Sequence, residues 1–175
     1  MSRAYRVTWV NVSGTVTTTD TLTVNVSMLP ILAPAEMAAI LREELEAMGW
    51  TRHADGSVTT TINDLPATLD PEATKLTITT AAESEVKERG VSAEDAARNL
   101  ERGKERAREH LEGAAAKVLT EAEAPAREAL QKATQRAYLR ALKQKAASMG
   151  TIESTHEGAA PDGSGDYEVT IKVRV

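Results

Sequence analysis

The stretch Ser92–Met149, SAEDAARNLERGKERAREHLEGAAAKVLTEAEAPAREALQKATQRAYLRALKQKAASM, decides the fold. It is rich in Ala, densely charged and interrupted by one proline, Pro125. Ser92 followed by Asp95 is a near relative of the capping box. Glu94 and Asp95 then fall in the first turn, where the helix dipole favours negative charge. Leu100, Ala107, Leu111, Ala114, Ala115, Val118 and Ala122 recur at steps of three, four or seven, the spacing of one helical face. Gly103 and Gly113 each cost roughly 1 kcal/mol relative to Ala in a helix interior, so this helix must owe its existence to packing.

Pro125 removes one backbone hydrogen bond and clashes with the preceding turn, but it suits the first position of a new helix. An unbroken helix from Ser92 to Met149 would span roughly 85 Å, stranding the last β segments away from the first. The expectation is therefore a long Ala-rich helical pair turning near Ala122–Ala126, with one helix kinked at Pro125 as the alternative. It forms a helical insertion at about 92–149 in a single α+β domain covering 1–175.

Charge separates the two halves. Before Glu123 acids and bases alternate, whereas from Arg127 to Lys145 the only acid is Glu128. On a helical wheel Lys132, Arg136, Arg140 and Lys143 share one narrow stripe, apart from Leu130, Ala137 and Ala141. Such a stripe is either a solvated face or a docking surface for an acidic partner.

Working outward, the segments flanking this stretch are β-prone. Tyr5–Val12 and Thr15–Met28 read as two strands reversing at Ser13-Gly14 or in the segment up to Asp20. Leu22, Val24, Val26 and Met28 alternate with polar residues. After Pro30 and Pro34 a helix is predicted over Ala35–Met48, with Met37, Ile40, Leu41, Leu45 and Met48 on its apolar face and Gly49 as C-terminal cap. Trp50–His53 and Val58–Ile62 form a hairpin around Asp55-Gly56. Leu65-Pro66 and Asp70-Pro71 mark loops, Lys75–Thr80 a further strand, and Glu83–Gly90 a linker or short helix. Gly150 stops the long helical stretch with the left-handed conformation that glycine tolerates. Thr151–Glu157 and Tyr167–Val175 close the chain as two strands. The fold class is thus α+β, an antiparallel sheet of short strands with one short helix and the helical pair.

Composition narrows the function. The 175 residues are 41% hydrophobic but only 3% aromatic, with no Phe, so the core is built from aliphatic side chains. A net charge of −5 argues against general nucleic-acid binding. Without Cys there is no thiolate nucleophile, disulfide or iron–sulfur ligand set. The start, Met1–Tyr5, carries no apolar signal segment and no run approaches membrane-spanning length, so a cytoplasmic protein without membrane insertion is expected.

The chemistry of catalysis is hard to find. His53, His110 and His156 lie far apart and outside any paired-ligand motif. Asp162-Gly163-Ser164-Gly165-Asp166 starts like a calcium loop, but its twelfth position is Val173, where a bidentate Glu is required. Phosphate-loop, dinucleotide and nucleophile-elbow patterns do not occur. No catalytic, cofactor or metal residue is assigned, and the reading is non-enzymatic.

One resemblance does emerge. Gln135-Arg136-Ala137-Tyr138, Leu142, Gly150, Ile152-Glu153, Asp162-Gly163 and Val169-Thr170-Ile171 resemble the C-terminal pattern of small domain-of-unknown-function proteins of cyanobacteria and plastids. Related accessory domains occur in bacterial FtsH ternary systems, beside AAA+ ATPases. Met48-Gly49-Trp50 before Asp55-Gly56 is similar to that family's earlier segment. The likeness covers part of the chain, which departs from it in a longer N-terminal hairpin and extended Ala-rich helices. It implies a protein partner, an AAA+ ATPase or protease, and an adaptor role, with Lys132, Arg136, Arg140 and Lys143 as the docking candidates. The alternative is an anionic-ligand or nucleic-acid binder using the same stripe.

Overall fold

The computed structural model describes residues 8–159 and 167–174. In chain order the elements are β1 (Val10–Asn25), α1 (Pro34–Ala47), β2 (Thr51–Arg52), β3 (Val58–Ile62), β4 (Leu65–Leu69), β5 (Lys75–Gly90), α2 (Ala93–Met149), β6 (Thr151–Ala159) and β7 (Tyr167–Arg174). Five strands form one antiparallel sheet in the order β1-β5-β4-β3-β2, and β6 pairs with β7 in a second sheet. The mixed α+β class is as expected. By internal contacts the chain divides into two units, Met1–Leu22 with Ile78–Glu123 and Thr23–Thr77 with Ala124–Val175.

The central correction is to the helical pair. α2 is one helix of 57 residues with Pro125 inside it. From Ala115 to Ala141 its buried positions run Ala115, Leu119, Ala122, Ala126, Leu130, Ala133, Ala137, Ala141. That is a 3-4-4 spacing that repeats every 11 residues and crosses the proline without a change of phase. Pro125 and Glu121, one turn before it, are both exposed, so the proline sits on the helix face open to water. The objection that a single helix strands the final strands also lapses, because β6 and β7 pair with each other. Ser92 does cap the helix, its hydroxyl accepting from Asp95 N–H at 3.1 Å. The apolar face is rotated from the expected one. Leu119 is buried, Leu100 and Leu111 are half-buried, while Val118 and Ala114 are exposed.

In the first unit the strands are longer than expected. β1 runs unbroken through Ser13-Gly14, with the Tyr5–Val7 portion of the predicted first strand outside the described residues. Gly14 makes no turn. A Cβ there would come within 2.8 Å of Lys104 Cε, the movable end of an α2 side chain that lies against the strand. Gly103 meets the sheet in the same way, its missing Cβ lying 2.7 Å from Val86 Cγ1. Glu83–Gly90, expected as linker or helix, is the far half of β5. Its charged composition hides a period of two, with Ser84, Val86 and Glu88 turned inward and Glu83, Glu85 and Lys87 exposed. Arg106 pairs with half-buried Glu88 at 3.2 Å, and Arg89 lies over the Trp9 ring, 5.0 Å from its centre.

In the second unit α1 begins at Pro34 and buries Met37, Ala38, Ile40, Leu41 and Leu45. These join Val58, Leu69 and Leu76, all fully buried, in the main apolar core. Gly49 and Gly56 have φ of 92° and 88°, as the cap and hairpin require. Leu65-Pro66, expected as a loop, belongs instead to β4. It pairs with β3 from Val58↔Leu69 to Ile62↔Leu65. The intervening Asn63 and Asp64 have φ of 49° and 64°, a two-residue turn with both central residues left-handed. Asp70-Pro71 is a turn as expected, held by the Asp70 carboxylate. It accepts from Thr74 N–H at 2.6 Å, Thr74 O–H at 2.5 Å and Lys75 N–H at 3.0 Å.

Gly150 is a second correction, since it does not take the left-handed conformation predicted for it. A Cβ there would sit 2.2 Å from the Arg174 carbonyl oxygen. Glycine is needed because the backbone of β7 passes directly over it.

Candidate functional site

The basic stripe lies in the second unit, on the part of α2 that follows Pro125. Lys132 donates to Glu128, one turn back, at 2.6 Å. That bond holds the Glu128 carboxyl below its ordinary range. Arg140 reaches α1, with Nη2 at 2.5 Å from Glu43 and Nη1 at 3.5 Å from Glu44. Glu44 keeps only 17% of its side chain exposed, so Arg140 supplies the countercharge for a carboxylate largely withdrawn from water. Lys143 meets Glu157 of β6 at 2.9 Å. Arg136 is exposed and has no ion pair among the described residues. The four cations thus share a helix face, but two of them tie α2 to other elements of their own unit.

Beside this stripe runs an apolar groove of about 350 Å³ lined by Leu29, Ile31, Gln135, Tyr138, Leu142 and Val169. Leu29 is 60% exposed although it is apolar. The loop carrying it is pinned to α2 by Tyr138, whose phenolic oxygen accepts from Leu29 N–H at 2.9 Å. A neighbouring cleft of about 400 Å³ is lined by Val24–Ser27 of β1 and the loop after it, with Arg127, Leu130, Gln131 and Thr134 of α2. Both were missed from sequence. The available signal was Met28-Leu29-Pro30-Ile31-Leu32, an apolar run that prolines keep out of regular structure.

The histidines lie apart. His53 is exposed and bonds Thr59 Oγ1 at 2.7 Å through Nε2, and His110 and His156 are exposed on different elements. Among the described residues no group of His, Asp and Glu is arranged to hold a metal ion. The segment Asp162–Asp166 lies outside them. No helix among the described residues is long and apolar enough to cross a membrane.

The residues singled out from the sequence thus lie on a basic helix face, with an apolar groove lined in part by the same helix. Compared with known proteins, residues 1–175 match the family model described as FtsH ternary system domain X5. Neither the curated proteins nor the solved structures gave a match.

Proposed function

The chain belongs to the FtsH ternary system domain X5 family, and from that premise we propose that it is a non-enzymatic adaptor of an AAA+ ATPase or protease system, working in the cytoplasm. The family match along all 175 residues carries the reading, because it places the chain among the domains of a multi-component system. The docking surface is the stripe of Lys132, Arg136, Arg140 and Lys143. Within it Arg136, exposed and without an intramolecular acid among the described residues, is the residue a partner's carboxylate would meet. The groove lined by Leu29, Tyr138 and Leu142 supplies apolar area next to that charge, the combination typical of an interface centre and its rim.

The test is co-purification of the tagged full chain with the FtsH-type ATPase of its own host. The wild-type chain should retain the ATPase, and Lys132→Glu/Arg136→Glu should lose it while melting at the same temperature. Retention by the double variant would separate the stripe from docking. Failure of the wild-type chain to retain any ATPase component would remove the adaptor reading.

A further inference from the structure

β1 is the outer strand of the five-stranded sheet, and among the described residues no strand lies beyond it. Its hydrogen-bonding parity can be read at its end, where Val26 N–H donates to the Thr74 carbonyl at 2.7 Å, just before β5 begins. Even-numbered residues therefore face β5 with their N–H and C=O groups. Burial keeps one phase along the whole strand. Val12, Gly14, Val16, Thr18, Leu22 and Val24 are buried or half-buried, and every odd-numbered residue is exposed. Side-chain direction and hydrogen-bond direction both alternate with period two, so Asn11, Ser13, Thr15, Thr17 and Thr19 turn their backbone groups outward. Thr21 fits this parity, since its outward N–H is taken by the Asp20 carboxylate at 2.8 Å.

Exposed strand edges are usually blunted by Lys, Pro, shortness or a bulge. Between Asn11 and Thr19 there is neither charge nor proline, and Asp20 is the one charged residue of all 16 in β1. We infer that Asn11–Thr19 is a pairing edge for a second copy of this chain, joined antiparallel about a two-fold axis at Thr15. That axis sets Ser13 opposite Thr17 and Asn11 opposite Thr19. All belong to the outward set, so donors meet acceptors at every step and about ten hydrogen bonds form. Val12 falls opposite Thr18 and Gly14 opposite Val16. No charge opposes a like charge, because each Asp20 lies opposite Val10, past the paired segment. A cavity of about 510 Å³ lined by Asn11, Val12 and Ser13 with Lys87, Glu88 and Arg89 borders the start of this segment, while Thr15–Thr19 carry no charge by which a foreign strand would be selected. A second copy needs only the parity and the symmetry, which the strand itself supplies.

The test is light scattering on the full chain over a wide dilution series, with amide hydrogen exchange at Thr15 and Thr17. The wild-type chain should reach twice the mass of one chain, with those amides protected in the dimer. Thr15→Lys places like charges directly opposite each other on the axis and should leave a single chain whose melt matches that of wild type diluted to the single-chain form. Thr15→Glu should do the same, and mixing the two variants should restore the double mass. Thr15→Pro, which removes an outward N–H and no ladder bond, gives a second route to the same loss. A wild-type chain that stays monomeric at every concentration overturns the inference, as does a dimer that survives Thr15→Lys or Thr15→Pro.

Discussion

The phenolic oxygen of Tyr138 sits 2.9 Å from the backbone nitrogen of Leu29, so one side chain of α2 fixes a loop distant from it in sequence. Tyr138 and Val169 also line the same groove, which puts this ring beside β7.

Tyr138→Phe keeps the ring and removes the acceptor. Because Leu29 is exposed, its N–H can turn to water, so the loss belongs at the low end of about 0.5–1.5 kcal/mol. Urea unfolding of the variant should show that small decrease. Amide exchange at Leu29 should speed up far more than exchange in α1, and equal rates in variant and wild type would refute the pinning role.

Leu130 and Val118 provide a paired test of the helix face. Leu130 is 6% exposed and Val118 is 37% exposed. Leu130→Ala should cost about 2–5 kcal/mol if the site cannot collapse. Val118→Ala should stay within about 0.5 kcal/mol. Equal effects on the thermal melt would mean that the face has been assigned one position out.

Gly150→Ala should destabilise through collision rather than through backbone conformation. The new methyl would press on the Arg174 carbonyl oxygen, and overpacking of this kind costs typically 1–3 kcal/mol. Exchange of the β6 and β7 amides should accelerate while those of β3 and β4 hold. A variant as stable as wild type would place β7 farther from Gly150.

These cases show what the sequence carried and what it concealed. α1, its Gly49 terminus and the Asp55-Gly56 hairpin were legible because propensity, periodicity and turn chemistry agree there. β5 was half concealed because Glu83–Gly90 was read by composition, when its alternation of Ser84, Val86 and Glu88 was the better signal. Continuity of α2 through Pro125 was legible in principle from the 11-residue recurrence of Ala115, Ala126 and Ala137. A local rule about proline outweighed it. The reversal between β3 and β4 escaped because Asn63-Asp64 lacks the glycine that usually marks such a turn. At the candidate site the wheel position of Lys132, Arg136, Arg140 and Lys143 needed no structure. Their partners Glu43, Glu44 and Glu157 did, since tertiary packing alone brings α1 and β6 to that helix face.

Asp70 makes stability depend on pH. Partial burial raises its pKa, but the hydrogen bonds from Thr74 and Lys75 outweigh burial and hold the carboxyl below its ordinary value. A depressed folded-state pKa contributes stability that is present above the unfolded value, near 3.9, and lost as pH falls through the folded value. Asp70→Asn keeps an acceptor and removes the titration. Below about pH 4 the variant should lose less stability on further acidification than wild type does. Parallel acid-unfolding curves for the two proteins would show that Asp70 contributes nothing to the slope.

The last prediction separates protein docking from binding of an anion or nucleic acid by the basic stripe. Arg140 and Lys143 already face Glu43, Glu44 and Glu157, which lowers the positive potential available to a phosphate chain. The net charge of −5 opposes such a chain as well. Reversal of Arg140 is a poor probe, since it would set a third carboxylate against Glu43 and Glu44 and destabilise the fold. Among the described residues Lys132→Glu/Arg136→Glu breaks no tie between elements, since Lys132 pairs there with Glu128 of its own helix turn. If the stripe bound nucleic acid, affinity would fall steeply with salt as neutralised phosphates released counterions, and the double variant would flatten that slope. The expected result is negligible binding to single- or double-stranded DNA or RNA near physiological salt, in wild type and variant alike. A protein partner should instead associate more slowly with the variant, and the difference should shrink as salt rises, because rim charges govern encounter more than residence. Tight, salt-sensitive binding of any nucleic acid that disappears in the double variant would reverse the ranking of the two readings.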